Sequence, residues 1–260
     1  MHDELFSVAG QVVLVSGGSR GIGRALAEGF ARRGAQVVIA GRELATLEAT
    51  ARDIGGELPV TPMRCDVADP DAIQALAAAV HEEFGRIDTL INVAGVNKRK
   101  RVETFTPEEF DFVLDINLRG LFLLSQAVGR LMIERRQGTI INIGSLNNYA
   151  PLKGVIPYAI SKMGVAAVTR GMALEWGEFG VRVNGIAPGF ILTDLTRKLW
   201  SNPTMQAWNR ANTPLQRLGE VGDLVGAAVF LASNASAFMT GQMLFVDGGV
   251  SAGTLWPIEL

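Results

Sequence analysis

Apolar and polar residues alternate on two length scales along this chain. Short apolar runs rich in valine and isoleucine are separated by longer segments in which apolar residues recur every three or four positions. Such alternation predicts parallel strands covered by helices. The short runs predict seven strands, at residues 12–16, 36–40, 60–64, 89–93, 138–143, 181–186 and 242–246. We therefore expect an α/β fold with a seven-stranded, doubly wound parallel sheet and helices on both faces.

The clearest helix start lies at Thr106, Pro107 and Glu109. These residues supply an N-cap, a proline at the first helical position and a capping-box acid. The apolar pattern extends this helix to about residue 136, or roughly 45 Å at 1.5 Å per residue. A helix of this length is suited to a subunit interface.

Composition favours one compact domain over residues 1–260. The 260 residues are 48% hydrophobic and 19% charged, and no linker rich in proline or serine divides them. The net charge of −2 argues against a nucleic-acid partner. No basic and then apolar segment opens the chain, and the longest near-apolar stretch, about residues 121–133, is too short to cross a bilayer. We expect a cytoplasmic protein with no membrane partner.

The chain offers few ligands for a metal site of the usual zinc type. Its single cysteine, Cys65, excludes an internal disulfide, and His2 and His81 are its only histidines. We therefore expect no metal site.

The first chemical signal is the segment VVLVSGGSRGIGRALAEGFARRG, in which a strand ends in a glycine-rich turn that opens an amphipathic helix. Gly17 permits a tight turn, Gly21 lets the backbone approach a pyrophosphate, and Gly23 allows the helix to pack on the sheet. The helix N-terminus adds amide donors and a positive dipole. Glycine turns are also common for steric reasons, but the flanking strand and helix favour a dinucleotide site.

The end of the second strand indicates which dinucleotide binds. An NAD site places a carboxylate about 20 residues beyond the glycine turn, where it bonds to the ribose 2′-hydroxyl, and Gly41 cannot do so. Arg42 can pair with the 2′-phosphate of NADP, and Arg20 is placed to join it. Glu43 also fits the spacing of an NAD site, although it can equally be an exposed first-turn acid. We expect NADP (NADPH) rather than NAD.

Further motifs follow in order: CDV at residues 65–67, NVAG at residues 92–95, DINLRG around Asn117, Ser145 after the fifth strand, YAISK at residues 158–162 and VNGIAPG ending at Gly189. Together with SGGSRGIG, they resemble the short-chain dehydrogenase/reductase family over nearly the whole chain. Two departures are Ser16 in place of threonine and Val93 in place of a second asparagine. The resemblance implies a single-domain Rossmann fold and oxidoreduction of CH–OH groups with a nicotinamide dinucleotide.

The resemblance assigns catalysis to Asn117, Ser145, Tyr158 and Lys162. Tyrosine and lysine four residues apart face the same way on a helix. A neighbouring ammonium favours phenolate, so we expect Lys162 to lower the pKa of Tyr158 from its usual value of about 10. Tyr158 would be the general acid/base, Ser145 would orient the ketone oxygen, and Asn117 would support a proton path. Each of the four residues alone has an ordinary structural explanation. Their order along the chain, downstream of a dinucleotide-binding turn, favours a catalytic role instead.

The resemblance also implies a set of cofactor contacts around the carboxyl ends of the strands. These are Gly17, Ser19, Arg20, Gly21, Ile22, Gly23, Arg42, Asp66, Val67, Asn92, Ala94, Gly95, Tyr158, Lys162, Pro188, Gly189, Ile191 and Thr193. By the same resemblance, Asp66 and Val67 are expected at the adenine, Asn92, Ala94 and Gly95 on the adenosine side, and the last four residues at the nicotinamide.

The segment AGVNKRKRVETF gives the main indication of a small-molecule substrate. It puts cations in the loop after the fourth strand, where they could bind a sugar acid or remain a solvated charged loop. Candidate substrate contacts are Asn97, Lys98, Arg99, Ser145, Asn147 and Tyr158. Within the family, the chain is similar to sugar-acid and polyol dehydrogenases of the gluconate 5-dehydrogenase type.

Two alternatives and the assembly state stay open at this point. A 3-oxoacyl-[acyl-carrier-protein] reductase uses the same catalytic set, and a non-catalytic dinucleotide-binding sensor uses the same glycine turn. The resemblance implies a homotetramer or a homodimer. The apolar C-terminal residues Trp256 and Ile258 are expected to pack against a neighbour.

Overall fold

The computed structural model describes residues 4–256, so His2 and Ile258 lie outside the described residues. Seven strands form one parallel sheet, and two short strands pair separately. In chain order the strands are β1 (Val12–Ser16), β2 (Gln36–Gly41), β3 (Thr61–Arg64), β4 (Thr89–Asn92), β5 (Gly138–Ile143), β6 (Val181–Pro188), β7 (Ile191–Leu192), β8 (Gly219–Glu220) and β9 (Met243–Val246). The large sheet has the order β3-β2-β1-β4-β5-β6-β9, which confirms the predicted doubly wound fold.

The predicted strands agree with the observed ones to within two residues at each end. The largest difference is at β6, which extends to Pro188 because it stays paired with β9 as far as Val246. The sequence did not predict β7 and β8. Each has only two residues, too few to show an alternation of apolar and polar positions.

Helices cover both faces of the sheet and enclose two hydrophobic clusters. One face carries α1 (Gly21–Ala31), α2 (Leu44–Ile54) and α9 (Val225–Ala232), whereas the other carries α3 (Pro70–Phe84), α5 (Leu121–Arg135) and α6 (Ile156–Trp176). The remaining helices are α4 (Pro107–Leu114), α7 (Asp194–Trp200) and α8 (Pro203–Asn212). Because both faces are covered, β1, β4 and β5 are buried along their whole length, as their continuous apolar runs predicted.

The long helix predicted from Thr106 is present but is not regular. Its capping box is confirmed, since Thr106 Oγ1 accepts from the Glu109 N–H and Glu109 Oε2 accepts from the Thr106 N–H. Between α4 and α5 the backbone is a π-helical segment, Asp115–Gly120. A Cβ on Gly120 would collide with the carbonyl oxygen of Val67 in the loop after β3. The π-helical segment therefore lies directly against that loop.

One helical stretch within residues 4–256, Pro107–Arg135, is long and apolar enough to cross a membrane. Its most apolar window is 56% buried inside the fold, so the core helix of a folded domain accounts for the same composition. The near-apolar stretch at about residues 121–133 is only part of this helix, because α4 and α5 are continuous through the π-helical segment.

We predict that Gly120→Ala lowers the free energy of unfolding by about 1–3 kcal/mol, because the added methyl group meets backbone rather than a movable side chain. Gly226→Ala is the matched control. Gly226 is exposed in α9 and has open space around it, so alanine should stabilise the helix by about 0.5–1 kcal/mol. Urea unfolding followed by circular dichroism measures both effects. Wild-type stability in Gly120→Ala would contradict the packing described.

Candidate active site

The carboxyl ends of the parallel strands bring the predicted site residues to one edge of the sheet. The order of the strands reverses between β1 and β4, and their last residues, Ser16 and Asn92, lie side by side in register. Open α/β sheets bind ligands in the crevice at such a reversal. The glycine turn follows β1, and the loop that contains Ala94 and Gly95 follows β4.

The glycine turn leaves room for a phosphate group beside the first turn of α1. Gly17 has a φ of +71°, and a Cβ on it would lie 2.8 Å from the backbone nitrogen of Ala94. A Cβ on Gly23 would collide with the carbonyl oxygen of Gly17. Among the described residues, no side chain caps α1: Arg20 occupies the N-cap position without such a bond. The free amides and the helix dipole fit a pyrophosphate.

The glycine turn is held by a contact that the sequence analysis missed. Thr50 Oγ1, in α2, donates to the carbonyl oxygen of Ser19 at 2.9 Å and also to that of Thr46. Ile22, the next apolar residue, packs into the core under α1. A threonine in a helix interior is a weak sequence signal, because its hydroxyl most often bonds only within its own helix.

Two cations that are unpaired in the described part of the chain lie near the glycine turn, one within it and one directly after β2. Arg20 and Arg42 are exposed, and neither side chain has an ion pair or hydrogen bond within residues 4–256. Glu43 is exposed at the N-cap of α2 and makes no side-chain cap bond there. Arg64, which the sequence analysis did not single out, pairs in register with Gly41 at the end of β2. The local charge therefore suits an anion.

The residues predicted at the adenine and the adenosine side differ in their exposure to solvent. Asp66 is partly exposed and accepts from the Ala68 N–H through Oδ1 at 3.0 Å, while Val67 lies against Gly120. Ala94 borders the glycine turn, because a Cβ on Gly17 would touch it, whereas a Cβ on Gly95 would meet Asn117 Oδ1 at 3.4 Å.

The side chain of Asn92 is engaged inside the fold, and the predicted contact of this residue with the cofactor stays a prediction. It is 3% exposed, and its Nδ2 donates to Ser125 Oγ at 2.8 Å and to Asn142 Oδ1 at 2.9 Å. Asn142 in turn donates to Thr169 Oγ1 at 3.0 Å. The side chain belongs to a polar network between the sheet, α5 and α6, because β4 is buried on both faces. Any contact of Asn92 with a dinucleotide would come from its backbone.

The predicted nicotinamide-side residues follow β6. Gly189 packs on Asp247, and its N–H donates to the carbonyl oxygen of Val246 at 3.0 Å. Ile191 is buried in β7, and Thr193 precedes α7. A Cβ on Gly21 would lie 3.8 Å from the Thr193 side chain, so this segment meets the glycine turn. Thr193 thus borders the same crevice as the glycine turn, and Pro188, Gly189 and Ile191 lie in the segment that leads to it.

Ser145, Tyr158 and Lys162 come together where β5 meets α6. The Lys162 ammonium donates to the carbonyl oxygen of Ile143, the last residue of β5, at 2.6 Å, and lies 5.6 Å from the centroid of the Tyr158 ring. The Ser145 side chain lies near the Tyr158 phenol and favours its ionised form, which lowers the pKa of the phenol. A hydroxyl, a phenol and an ammonium in this arrangement can bind a carbonyl or hydroxyl oxygen and exchange a proton with it.

Asn117 lies in the π-helical segment and is completely buried. Its Oδ1 accepts from the Val96 N–H at 2.7 Å, and its Nδ2 donates to the Val96 carbonyl oxygen at 2.8 Å and to Ser161 Oγ at 3.1 Å. Ser161 donates to the carbonyl oxygen of Tyr158 at 2.7 Å. Asn117 therefore joins the loop after β4 to α6. The sequence analysis missed Ser161, since a helical serine beside Tyr158 carries no distinguishing signal.

The pKa of Tyr158 differs in direction from the expectation. Burial of the phenol raises it above the usual value, and the hydrogen bond with Ser145 opposes this shift only in part. Burial also lowers the pKa of Lys162 to about 8. The prediction that Lys162 lowers the Tyr158 pKa is wrong for the chain alone. Burial is the largest effect on the phenol and raises its pKa, and the Lys162 ammonium donates to the Ile143 carbonyl oxygen.

Glu109 binds two of the cations in the loop after β4. Lys98 Nζ lies 3.3 Å from Glu109 Oε1, and Lys100 Nζ lies 2.7 Å from Oε2. The bond from Lys100 and the helix cap lower the pKa of Glu109 to about 2. Asn97 and Arg99 are exposed, and the Arg99 side chain has no ion pair or hydrogen bond in the described part of the chain.

Arg99 lies against the loop that leads into α6. A Cβ on Gly154 would be 3.4 Å from Arg99 Cγ, and the Lys100 N–H donates to the Gly154 carbonyl oxygen at 2.9 Å. Gly154 precedes Tyr158 by four residues. Of the two cations predicted to contact the substrate, Arg99 is unpaired in the described structure and lies close to the start of α6, whereas Lys98 is paired with Glu109.

Asn147 is 3% exposed and its side chain is engaged on both sides. Its Nδ2 donates to Ser145 Oγ at 3.1 Å, and its Oδ1 accepts from the Leu152 N–H at 3.0 Å. These contacts bind Asn147 to its own loop. Its predicted contact with a substrate remains a prediction.

Within residues 4–256, no group of three or more histidine, cysteine, aspartate or glutamate residues is arranged to hold a metal ion.

Comparisons with known proteins agree with this geometry. A family model described as enoyl-(acyl carrier protein) reductase matches residues 16–251. The gluconate 5-dehydrogenase of Gluconobacter oxydans (strain 621H) is 42% identical over 251 residues, which cover 96% of this chain and 98% of the relative. A 3-oxoacyl-[acyl-carrier-protein] reductase of Vibrio cholerae is 40% identical over 246 residues, which cover 94% and 98%.

A solved structure extends the agreement to three dimensions. The crystal structure of a gluconate 5-dehydrogenase from Burkholderia cenocepacia J2315 in complex with NADP and tartrate is 38% identical and has a TM-score of 0.93. The match covers 96% of this chain and 99% of that chain. The fold and the order of the motifs are therefore shared over nearly the whole length.

Proposed function

The chain belongs to the short-chain dehydrogenase/reductase family, and on this premise we propose that it interconverts a secondary alcohol and a ketone of a sugar acid or polyol with NADP(H). The observation that carries the proposal is the meeting of Ser145, Tyr158 and Lys162 at the carboxyl end of β5, on the same edge of the sheet as the glycine turn. A sensor that only bound dinucleotide would have no use for this buried proton-donating group. We further propose that residues 1–260 form one dinucleotide-binding domain and that the protein is cytoplasmic.

The bound nicotinamide dinucleotide would supply or accept the hydride. The chain supplies the proton and the geometry. Tyr158 donates its proton to the ketone oxygen in reduction and recovers it in oxidation, and its raised pKa keeps the proton in place at neutral pH. Ser145 holds the same oxygen by a hydrogen bond. Lys162 fixes α6 against the end of β5, and Asn117 fixes the loop after β4.

Activity on a panel of carbonyl compounds tests the proposal. We expect NADPH oxidation with 5-ketogluconate or another keto sugar, and we expect Tyr158→Phe to lower turnover by roughly 10²- to 10⁴-fold with NADPH affinity unchanged. The phenol contributes its proton only to the reaction, which is why binding should survive. Turnover close to wild type in Tyr158→Phe would remove the proposed proton donor.

The runner-up function is 3-oxoacyl-[acyl-carrier-protein] reduction. The relative from Vibrio cholerae is nearly as similar as the gluconate dehydrogenase, so identity alone decides little between the two. The same panel therefore includes acetoacetyl thioesters. Activity confined to thioesters would replace the sugar-acid proposal, and no activity on any carbonyl compound would favour the non-catalytic sensor.

The preference for NADP rests on Arg20 and Arg42. Both are exposed and unpaired in the described structure, and Gly41 leaves no carboxylate at the end of β2. A doubly charged 2′-phosphate beside two guanidinium groups gains charge-assisted hydrogen bonds that a 2′-hydroxyl cannot match. The Burkholderia cenocepacia structure described as an NADP complex supports the same preference.

We predict that Arg42→Ala weakens NADPH binding roughly 10- to 100-fold, the effect of losing about 1.5–3 kcal/mol of bonding to a charged group. NADH binding should change little, because NADH has no 2′-phosphate. Arg52→Ala is the control, since Arg52 is an exposed arginine in the last turn of the same helix. Fluorescence titration measures all four affinities. An equal loss for NADH and NADPH would contradict the assignment.

The sugar-acid substrate is supported by Arg99. This cation is unpaired in the described structure and lies beside the loop that leads to Tyr158, where it can bind a substrate carboxylate. Tartrate, the ligand named with NADP in the Burkholderia cenocepacia structure, is a hydroxylated dicarboxylate. Lys98 is less available because Glu109 already binds it.

We predict that Arg99→Ala raises the KM for an anionic keto acid by about tenfold or more, as expected when a charged hydrogen bond is lost. The KM for a neutral keto sugar should stay within about twofold. Lys98→Ala provides the comparison and should affect the KM for the acid less, since its ammonium is paired with Glu109. Steady-state kinetics with both substrates measures these effects. Equal losses in the two variants would show that the loop acts only through its net charge.

The proposal extends to a homotetramer or homodimer through the outer face of α5 and α6. A groove of about 380 Å³ between these helices is lined by Phe122, Gln126, Arg130, Ile133, Val168, Gly171, Met172, Glu175 and Trp176. Leu174 beside it is 85% exposed. An apolar face of this kind on two neighbouring helices supports contact with a second copy.

We predict that Leu174→Glu shifts the protein toward monomer in sedimentation velocity at micromolar concentration, because it would bury a carboxylate in the contact. Leu58→Glu is the control. Leu58 is an exposed leucine in the connection between α2 and β3, away from α5 and α6, and its substitution should leave the assembly unchanged. An unchanged assembly in both variants would place the interface elsewhere.

A further inference from the structure

The hydroxyl oxygen of Ser145 receives two hydrogen bonds from one neighbour. The backbone N–H of Asn147 donates to Ser145 Oγ at 3.1 Å, and the side-chain Nδ2 of Asn147 donates to the same oxygen at 3.1 Å. Ser145 and Asn147 are both buried. A pair of donors on one buried hydroxyl is more than a turn at the end of a strand requires.

The orientation of the Asn147 amide follows from its other contact. Leu152 donates its backbone N–H to Asn147 Oδ1 at 3.0 Å. A backbone N–H is always a donor, so the oxygen of the amide must face Leu152 and the nitrogen must face Ser145. The reversed amide would set one donor against another at Leu152 and leave an acceptor facing Ser145.

A serine hydroxyl has one hydrogen and two acceptor lone pairs. Both lone pairs of Ser145 are occupied by the two bonds from Asn147. The hydroxyl hydrogen is therefore directed away from Asn147, toward the phenol of Tyr158 and the crevice. We propose that Asn147 is a positioning residue that makes Ser145 an obligatory hydrogen-bond donor to the substrate oxygen.

The direction of this bond matters for the reaction, and the inference rests on the proposed function. During ketone reduction the substrate oxygen becomes negative, and a fixed donor stabilises that charge. A serine that was free to rotate could instead accept a bond from the Tyr158 phenol and hold the proton that the ketone needs. With its lone pairs occupied, Ser145 leaves the Tyr158 proton free for the substrate.

The neighbouring Asn148 makes contacts of a different kind. Its Oδ1 accepts from the Ser145 N–H at 2.6 Å, and its Nδ2 donates to the carbonyl oxygen of Lys162. These bonds fix the backbone of Ser145 to α6 but do not touch the hydroxyl. The position of Ser145 and the direction of its hydroxyl hydrogen are thus set by different side chains.

Asn147→Asp tests the proposal because it keeps the shape and reverses the direction of the bond. The introduced carboxylate can still accept from Leu152, but it faces Ser145 with an acceptor and draws the hydroxyl hydrogen away from the substrate. We expect kcat for ketone reduction to fall roughly 10²- to 10³-fold, as when an oxyanion donor is lost. Activity relative to wild type should recover as the pH falls, because a protonated carboxyl group can again donate to Ser145.

A double-mutant cycle with Ser145→Ala isolates the coupling. In the Ser145→Ala background, Asn147→Asp should lower kcat less than about twofold further, since no hydroxyl remains to be reoriented. Asn147→Ala is a second variant that removes one donor without adding an acceptor, and its loss should be smaller. Asn234→Asp controls for the added charge, because Asn234 is exposed near the amino ends of the strands.

Tyrosine titration adds a readout that does not need turnover. The chain has two tyrosines, so the difference between wild type and Tyr158→Phe in tyrosinate absorbance reports Tyr158. Asn147→Asp should raise the pKa of Tyr158, because the hydrogen bond from Ser145 that opposes the effect of burial is lost.

The outcomes separate this inference from the proposed function. Wild-type protein that reduces no carbonyl compound would contradict the proposed function, and the tyrosine titration would still test the hydrogen-bond direction. Full activity in Asn147→Asp, or losses that add to those of Ser145→Ala, would overturn the inference. So would a Tyr158 titration identical in wild type and Asn147→Asp. Thermal unfolding within a few degrees of wild type confirms that the variants are folded.

Discussion

The candidate site depends on the attachment of the loop after β5 to the first turns of α6. Lys162 donates to the last carbonyl oxygen of β5, and Asn148 links the Ser145 backbone to the Lys162 carbonyl oxygen. Without these bonds the loop and the helix could move independently, and Ser145 and Tyr158 would lose their common position. Asn117 adds a third tie, because it joins the loop after β4 to Ser161 in the same helix.

The same attachment explains the directions in which the pKa values of Tyr158 and Lys162 shift in the chain alone. Holding Tyr158 and Lys162 inside the fold removes water from both, so the phenol is harder to ionise and the ammonium loses its proton more easily. The hydrogen bond from Ser145 is the contact that opposes this trend at Tyr158. The pKa of Tyr158 therefore depends on the direction of the Ser145 hydroxyl hydrogen.

The sequence predicted the features that depend on local pattern. Seven strands and the cap at Thr106 follow from periodicity and turn chemistry, and the structure agrees with them. Features that depend on contacts between distant segments were not predictable. The π-helical segment lies against the loop after β3 through Gly120 and Val67, and the Asn92 side chain bonds to residues 33 and 50 positions away.

In the loop after β4, contacts with another segment determine which basic side chains are available to a ligand. Its cations look equivalent in sequence, but Glu109 is held at its position by the capping box of α4 and binds Lys98 and Lys100 from there. Arg99, between these two lysines, is exposed and lies toward the loop that precedes Tyr158. Because the capping box holds Glu109 beside Lys98 and Lys100, these two lysines are paired and, among the described residues, Arg99 is not. Arg99 is therefore the candidate contact for an anionic group.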